Sequence, residues 1–129
     1  MPELNETQRK FLSEPHHAIV TTLRSDGSPQ STVVWMDVDD DGVWFNTQAG
    51  RVKADNMERD PRAAILVIDA ADPYRWLAID GPAVVTPDGG GEQIEHLSHK
   101  YTGAAFAGPR DRRLTVRIEP AHVTANGLD

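Results

Sequence analysis

The fold class is decided by residues 17–47, HAIVTTLRSDGSPQSTVVWMDVDDDGVWFNT, in which three β-rich stretches alternate with two turns. His17–Arg24 is rich in β-branched residues and runs into an Asp-Gly pair, which supplies the backbone angles of a tight reversal. Ser31–Val38 alternates apolar residues between two faces, and an acidic turn then leads into Val43–Thr47. Three strands joined by short turns predict an antiparallel meander.

The flanking sequence adds helices and further strands to this meander. Apolar residues at helical intervals predict a short helix at Asn5–Ser13, with Asn5 as N-cap. A second is predicted at Gly50–Arg59, which breaks the alternation, contains helix formers and stops at Asp60-Pro61, and a third at Glu92–Thr102 after a run of glycines. Further strands are predicted at Arg62–Asp69, at Tyr74–Thr86 with a bend at Gly81-Pro82, and at Arg112–Glu119 as the last strand. We therefore expect one domain over residues 1–129, α+β and mainly β, with about six mostly antiparallel strands in a closed or partly closed barrel.

Composition excludes several classes of function. The 129 residues contain no cysteine, so disulfides, thiolate metal sites and cysteine nucleophiles are excluded. A formal charge of −7 disfavours nucleic acid and anionic membranes as partners. The polar start of the chain lacks the apolar run of a signal peptide, which favours a cytoplasmic protein.

A basic segment is the most specific local feature, because it stands out against this acidic background. Arg51 and Lys53 lie at the predicted start of a helix, where free backbone N–H groups and the helix dipole already disfavour cations. They are explained if an anion such as a phosphate binds there, between amides, guanidinium and ammonium. Thr47 could add a hydroxyl, and Asn56 could hold the turn or touch the ligand.

The alternative for this segment is an ordinary solvated helix face. Arg51 would then pair with Asp55 at i+4, Asp55 would pair with Arg59, and Lys53 would point into water.

Two further groups of residues admit both a functional and a structural interpretation. Glu92, His96 and His99 would share one helix face and could hold a metal, but an ordinary polar face is favoured and no metal is expected. Trp35 and Trp76 could form flat walls for an aromatic ring, or belong to the core. A barrel of this size has little interior space, so a large cofactor would bind at its mouth or between subunits, which predicts a dimer.

On these residues the chain resembles the pyridoxamine 5′-phosphate oxidase-like family of FMN-binding split β-barrels, and more closely its deazaflavin-dependent branch, which uses coenzyme F-420. The order of several segments carries the resemblance: Ala18–Leu23, Asp26–Gln30, Val43–Thr47, Arg51–Asn56 and Asp60–Ala63. The C-terminal stretch Arg112–Arg117 lacks the tryptophan and histidine of the pyridoxamine phosphate oxidases proper, so vitamin B6 oxidation is not expected.

The resemblance implies roles for particular positions. Those matching Arg51, Val52 and Lys53 hold the cofactor phosphate, and the position matching Trp76 borders the ring pocket. The ring itself is lined by positions matching Thr32, Val33, Val34 and Trp35, with Asn46 and Thr47 beside them. The family is homodimeric, with each cofactor between two subunits.

The function implied is hydride transfer from coenzyme F-420 to a small unsaturated acceptor, with the chemistry borne by the cofactor and no catalytic side chain required. Two alternatives remain open. One is an FMN-dependent oxidoreductase on the same fold, and the other is a flavin- or deazaflavin-binding protein without turnover.

Overall fold

The computed structural model describes residues 3–128, so residues 1, 2 and 129 of the predicted domain lie outside the described residues. Along the chain the elements are α1 Glu6–Ser13, β1 His17–Leu23, β2 Pro29–Val34, β3 Met36–Asp39, β4 Gly42–Gln48, α2 Val52–Arg59, β5 Arg62–Ile68, β6 Trp76–Thr86, α3 Gly90–Thr102, β7 Arg113–Ile118 and β8 His122–Asn126. The strands pair in the order β2-β1-β5-β6-β7-β4-β3, every pair antiparallel, and β8 adds to β6. The end strands β2 and β3 do not pair, so the sheet is not closed by hydrogen bonds, which confirms a mainly β split barrel.

Strand β6 creates the split, because its two halves have different partners along one edge. Trp76–Asp80 pairs with β8, whereas Ala83–Thr86 pairs with β7. Gly81 lies at the change of partner, where a Cβ atom would fall 1.8 Å from the carbonyl oxygen of Glu119. The bend predicted at Gly81-Pro82 therefore requires glycine for close backbone approach.

Two predictions about strands are wrong. Ser31–Val38 is not one strand, because β2 pairs with β1 while β3 pairs with β4, and Trp35 lies at the break. The strand at Arg112–Glu119 is not the last, since β8 follows it and brings the described strands to eight rather than about six. Four of the five β8 side chains are exposed, so the strand lacks the apolar alternation that would have revealed it.

The core fills the barrel, and α1 covers one end of it. Phe11 and Leu12 of α1 are completely buried, together with Phe45 of β4 and Ile65 of β5. The predicted N-cap of α1 is confirmed, because the Asn5 side chain accepts a hydrogen bond from the Gln8 amide in a capping box. None of the helices within residues 3–128 combines the length and the apolar character needed to span a bilayer.

A second, smaller apolar cluster lies under α3 and forms one side of the candidate site. Trp44, Ile94 and Leu97 are buried in it, with aromatic residues packed against them. This cluster ties α3 to the outer side of β4.

Candidate functional site

A cleft of about 330 Å³ lies where the ends of β2 and β4 meet the starts of α2 and β7, with α3 along one side. Its lining residues are Val33, Val34, Trp35, Asn46, Thr47, Arg51, Lys53, Ile94, Phe106 and Arg113. The fold thus brings together most of the residues that the sequence predicted as cofactor-binding.

The turn after β4 places the basic segment at this cleft. Gly50 adopts a φ of 91°, which residues with a side chain rarely adopt, and it redirects the chain at the end of the strand. Arg51 then occupies the N-cap position of α2 without capping the helix through its side chain. Backbone N–H groups of the first turn of α2 therefore lie beside Arg51 and Lys53.

Within the described part of the chain, the cleft is lined by three cationic side chains, Arg51, Lys53 and Arg113, and by no acidic side chain. Lys53 is only 9% exposed, and within residues 3–128 it has no salt-bridge partner. Burial, and secondarily the charge of Arg51, lower the pKa of the Lys53 ammonium. The same two causes lower the pKa of Arg113, and the negative charge of Asp111 opposes them in part. A buried, uncompensated positive charge of this kind favours an anionic ligand.

The solvated-face alternative for α2 is contradicted by the contacts. Arg59 donates to the Leu23 carbonyl at 2.6 Å and to Asn56 Oδ1 at 3.0 Å, rather than pairing with Asp55. Lys53 is buried instead of pointing into water.

Two buried threonine hydroxyl groups, those of Thr32 and Thr47, have no hydrogen-bond partner among the described residues, which is a second indication of a ligand site. Thr47 is 2% exposed and lines the cleft, yet its Oγ1 has no hydrogen-bond partner within the described residues. Thr32 Oγ1 is likewise buried and unpaired, although Thr32 does not line the cleft. Because an unsatisfied buried hydroxyl costs free energy, Thr47 is suited to bind a ligand oxygen.

Two aromatic side chains, Trp35 and Phe106, also line the cleft. Trp35 stacks on Tyr101 with ring centroids 5.6 Å apart and planes 9° apart, and Phe106 meets Trp35 edge-on at 6.3 Å. Tyr101 is partly buried against Trp35, and this burial raises the pKa of its hydroxyl to about 12. The stack holds the Trp35 ring flat at the edge of the cleft, where another planar group could bind.

Four predicted residues lie outside the cleft of the single chain: Thr32, Val52, Asn56 and Trp76. Val52 is exposed at the start of α2. Asn56 is buried and donates to Thr22 Oγ1 at 3.0 Å and to Gln30 Oε1 at 3.2 Å, so it joins α2 to β1 and β2. Trp76 lines a separate apolar hollow on the outer face of β5 and β6.

Sequence reasoning missed Arg113, Ile94 and Phe106, which come from distant parts of the chain. Arg113 begins β7, whose alternating pattern indicated only a strand. No local signal distinguishes it from the neighbouring Arg112, since only the pairing of β4 with β7 brings it to the cleft.

The helix face considered as a metal site makes other contacts. His96 Nε2 lies 2.6 Å from Asp37 Oδ2, and His99 Nε2 lies 2.8 Å from Glu95 Oε2. Among residues 3–128 no three histidine, aspartate or glutamate side chains cluster as metal ligands would.

Fold and site together define a small split β-barrel with a cationic cleft at its mouth. The sequence model described as pyridoxamine 5′-phosphate oxidase matches residues 4–127, so the chain belongs to this family and the resemblance stated above is confirmed.

Two relatives are named for coenzyme F-420. A biliverdin reductase of Mycobacterium tuberculosis that depends on reduced F-420 is 37% identical over 87 residues, which cover 66% of this chain and 61% of that enzyme. The match thus spans about three fifths of that relative's length. A solved F-420 reductase superimposes with a TM-score of 0.81 at 28% identity, covering 96% of this chain and 98% of the other.

A third similarity supports the fold alone. A conserved hypothetical protein of Mycobacterium tuberculosis superimposes with a TM-score of 0.78 at 24% identity, covering 96% of this chain and 85% of the other.

Proposed function

We propose that the protein is a coenzyme F-420-dependent reductase that transfers hydride to a small unsaturated acceptor. The observation that carries the proposal is the cleft in which Arg51 and Lys53 lie beside the unpaired hydroxyl of Thr47, with no acidic lining residue to neutralise them. The names of the two F-420-linked relatives favour this coenzyme over FMN.

The residues of the cleft fit a cofactor that joins a phosphate to a planar ring. Arg51 would grip phosphate oxygens with its planar guanidinium, Lys53 would supply a second positive charge, and Thr47 would donate a hydrogen bond from its hydroxyl. Val33, Val34 and Trp35 would border the ring. When bound in its reduced form, the deazaflavin supplies the hydride.

The contribution of the chain itself is binding, orientation and exclusion of water. The lining residues include no carboxylic acid and no imidazole. The stacked rings of Trp35 and Tyr101, with Phe106 against them, would keep one side of the cleft dry and hold the acceptor close to the cofactor. The proposed hydride acceptor is a small molecule with an electron-poor double bond.

We also propose that two copies of the chain form a homodimer with the cleft at their interface. Val33 is 73% exposed at the edge of the cleft. Ile19 lies opposite Val33 on β2 and opposite Leu66 on β5, and Leu66 lies opposite Ala78 on β6. Opposed residues of antiparallel strands share a face, so these side chains form an outer apolar band.

This outer apolar band connects the cleft with the hollow around Trp76. Trp76 lies opposite Ile68 and lines that hollow together with Leu66 and Ala78. A second copy covering the band would bury it and could bring Trp76 to the cleft of the other copy, which agrees with the predicted role of this residue.

Titration of the purified protein with F-420 and with FMN, followed by fluorescence, tests the cofactor assignment. We expect F-420 to bind more tightly, and reduced F-420 to be oxidised when quinones, tetrapyrroles or unsaturated ketones are added. A yellow protein that binds FMN and ignores F-420 would instead support the FMN-dependent oxidoreductase. Tight F-420 binding without turnover on any acceptor would support a binding protein.

Light scattering coupled to gel filtration tests the dimer. The wild type is expected to elute at twice the mass of its 129-residue chain, and Leu66→Glu, on the outer apolar band, as a monomer. A monomeric wild type that still binds F-420 at full stoichiometry would refute the interface proposal.

A further inference from the structure

Arg113, at the start of β7, has a guanidinium that is fixed by several contacts, and the binding of one phosphate at the start of α2 does not explain its presence in the cleft. Arg113 is 9% exposed, and its Nε donates to the Pro109 carbonyl at 2.9 Å. Its guanidinium lies over the Phe106 ring, 4.9 Å from the centroid. Within residues 3–128 it forms no salt bridge, and Nη2 makes no hydrogen bond, although the side chain lines the cleft. The carboxylate that acts on its pKa, that of Asp111, forms its salt bridge with Arg112 instead.

A second layer of contacts positions this guanidinium. Arg113 Nη1 approaches Asn46 Oδ1 at 3.5 Å, while the Asn46 amide donates to the Gly90 carbonyl at 2.8 Å. Gly90 in turn packs so closely on β7 that a Cβ atom would fall 2.4 Å from the Arg113 carbonyl oxygen. The start of α3, the end of β4 and the start of β7 thus hold Arg113 in one orientation.

The backbone next to Arg113 is strained. Arg112 has a φ of 55° in the left-handed region, alone in this respect among the non-glycine residues described. Its carbonyl accepts a hydrogen bond from the Ala49 amide at 2.8 Å, which ties the start of β7 to the turn before α2. Residues with strained backbone conformations cluster at active sites and ligand-binding positions.

Charge counting separates Arg113 from the phosphate-binding pair. A phosphate monoester carries at most about two negative charges and a phosphodiester one, so a single phosphate cannot neutralise three cations. Arg51 and Lys53 belong to the start of α2, whereas Arg113 belongs to β7. A guanidinium matches the two oxygens of a carboxylate, and it forms two parallel hydrogen bonds with them.

We propose that Arg113, positioned by Asn46 and Phe106, forms a second anion subsite in the cleft that binds a carboxylate. The proposal rests on the proposed function, because the carboxylate belongs either to the acidic tail of coenzyme F-420 or to the acceptor. FMN carries a phosphate and no carboxylate, so the subsite would select against it.

The first test compares ligands with and without a carboxylate. Arg113→Gln removes the charge, and Arg112→Gln is the matched control, since it removes the neighbouring exposed charge. If the coenzyme supplies the carboxylate, Arg113→Gln weakens F-420 binding at least tenfold and FMN binding less than twofold. If the acceptor supplies it, F-420 binding is unchanged, and KM rises at least fivefold for biliverdin but not for biliverdin dimethyl ester.

Two results overturn the proposal. One is an equal loss of F-420 and FMN affinity, which would assign Arg113 to the phosphate subsite. The other is the absence of any change in F-420 binding and in KM for biliverdin. Thermal unfolding measures whether both variants are folded. If Arg113→Gln proves unstable, Arg113→Lys takes its place: it keeps the charge but loses the planar fork, so it should bind the carboxylate ligand more weakly than the wild type and more tightly than Arg113→Gln.

A measurement without a coenzyme distinguishes failure of the subsite from failure of the proposed function. If the wild type does not bind F-420, the reductase proposal fails and the subsite is tested with 3-phosphoglycerate, which carries a phosphate and a carboxylate. The melting temperature should then rise more with 3-phosphoglycerate than with inorganic phosphate, and Arg113→Gln should abolish the difference. Equal shifts in the wild type would overturn the subsite as well.

Discussion

Replacing Lys53 with methionine should change ligand binding and stability in opposite directions. The Lys53 ammonium is buried without an ion-pair partner among residues 3–128, and burial lowers its pKa, so its charge disfavours the folded state. Methionine fills a similar volume without a charge. We expect the free energy of unfolding to rise by about 0.5–2 kcal/mol, the gain typical of a single stabilising substitution.

The same substitution removes a charge-assisted hydrogen bond to the proposed phosphate. Such bonds contribute about 1.5–3 kcal/mol. At about 1.4 kcal/mol per factor of ten, the Kd for F-420 should rise by roughly 10- to 150-fold. Arg51→Ala should weaken binding by a similar factor with little effect on folding.

Urea denaturation followed by tryptophan fluorescence measures the stability, and a fluorescence titration measures the Kd. Lys10→Met is the matched control, because Lys10 is exposed on α1 and should change neither quantity. A Kd for Lys53→Met within twofold of the wild type, for both F-420 and FMN, would refute the anion site. A clear loss of stability would show that the buried ammonium is structural.

Three further predictions concern other contacts. The pKa of Lys53 is lowered from 10.5, and a bound anion would raise it again. The affinity for F-420 should therefore be full at neutral pH and fall progressively at alkaline pH, starting below 10.5, and Lys53→Arg should abolish this fall. A flat pH profile for the wild type would contradict this prediction. Thr47→Val should leave the free energy of unfolding unchanged or raise it, because the Thr47 hydroxyl has no partner among the described residues. It should raise the Kd for F-420 by roughly 2- to 12-fold, because a hydrogen bond of about 0.5–1.5 kcal/mol is lost. An unchanged Kd would place the ligand away from Thr47. Gly81→Ala should lower the free energy of unfolding, measured by urea denaturation, by about 3 kcal/mol, because the new Cβ atom would collide with the Glu119 carbonyl. Gly91→Ala should not, because position 91 has room for a Cβ atom. Equal effects of the two substitutions would refute the steric argument.

Elements whose signals are local were predicted well from the sequence. The capping box of α1 involves residues three apart, and the basic residues before and within the first turn of α2 are two apart. Strands β1, β4 and β5 were recognised because one or both faces pack into the core, which imposes a repeat of two residues or a continuous apolar run. Glycine and proline marked the bend of β6.

Features that depend on long-range pairing were not visible in the pattern. The alternation of apolar residues continues through Trp35, so the sequence indicated one strand where partner exchange makes two. β8 pairs with an edge of β6 through its backbone, and of its five side chains only Val123 is not exposed and packs against the core.

By itself the sequence determined an antiparallel, mainly β barrel and the position of the basic helix start, since periodicity, turns and capping act between near neighbours in the chain; the split form of the barrel was implied by the family resemblance. Only the tertiary structure decided that Lys53 is buried with no salt-bridge partner among residues 3–128, that Arg113 joins the cleft, and that Trp76 lies on the outer face. The physical reason is that burial and charge pairing depend on which distant strands come together. The pairing of β4 with β7 sets the charge of this cleft, and no local run of residues encodes it.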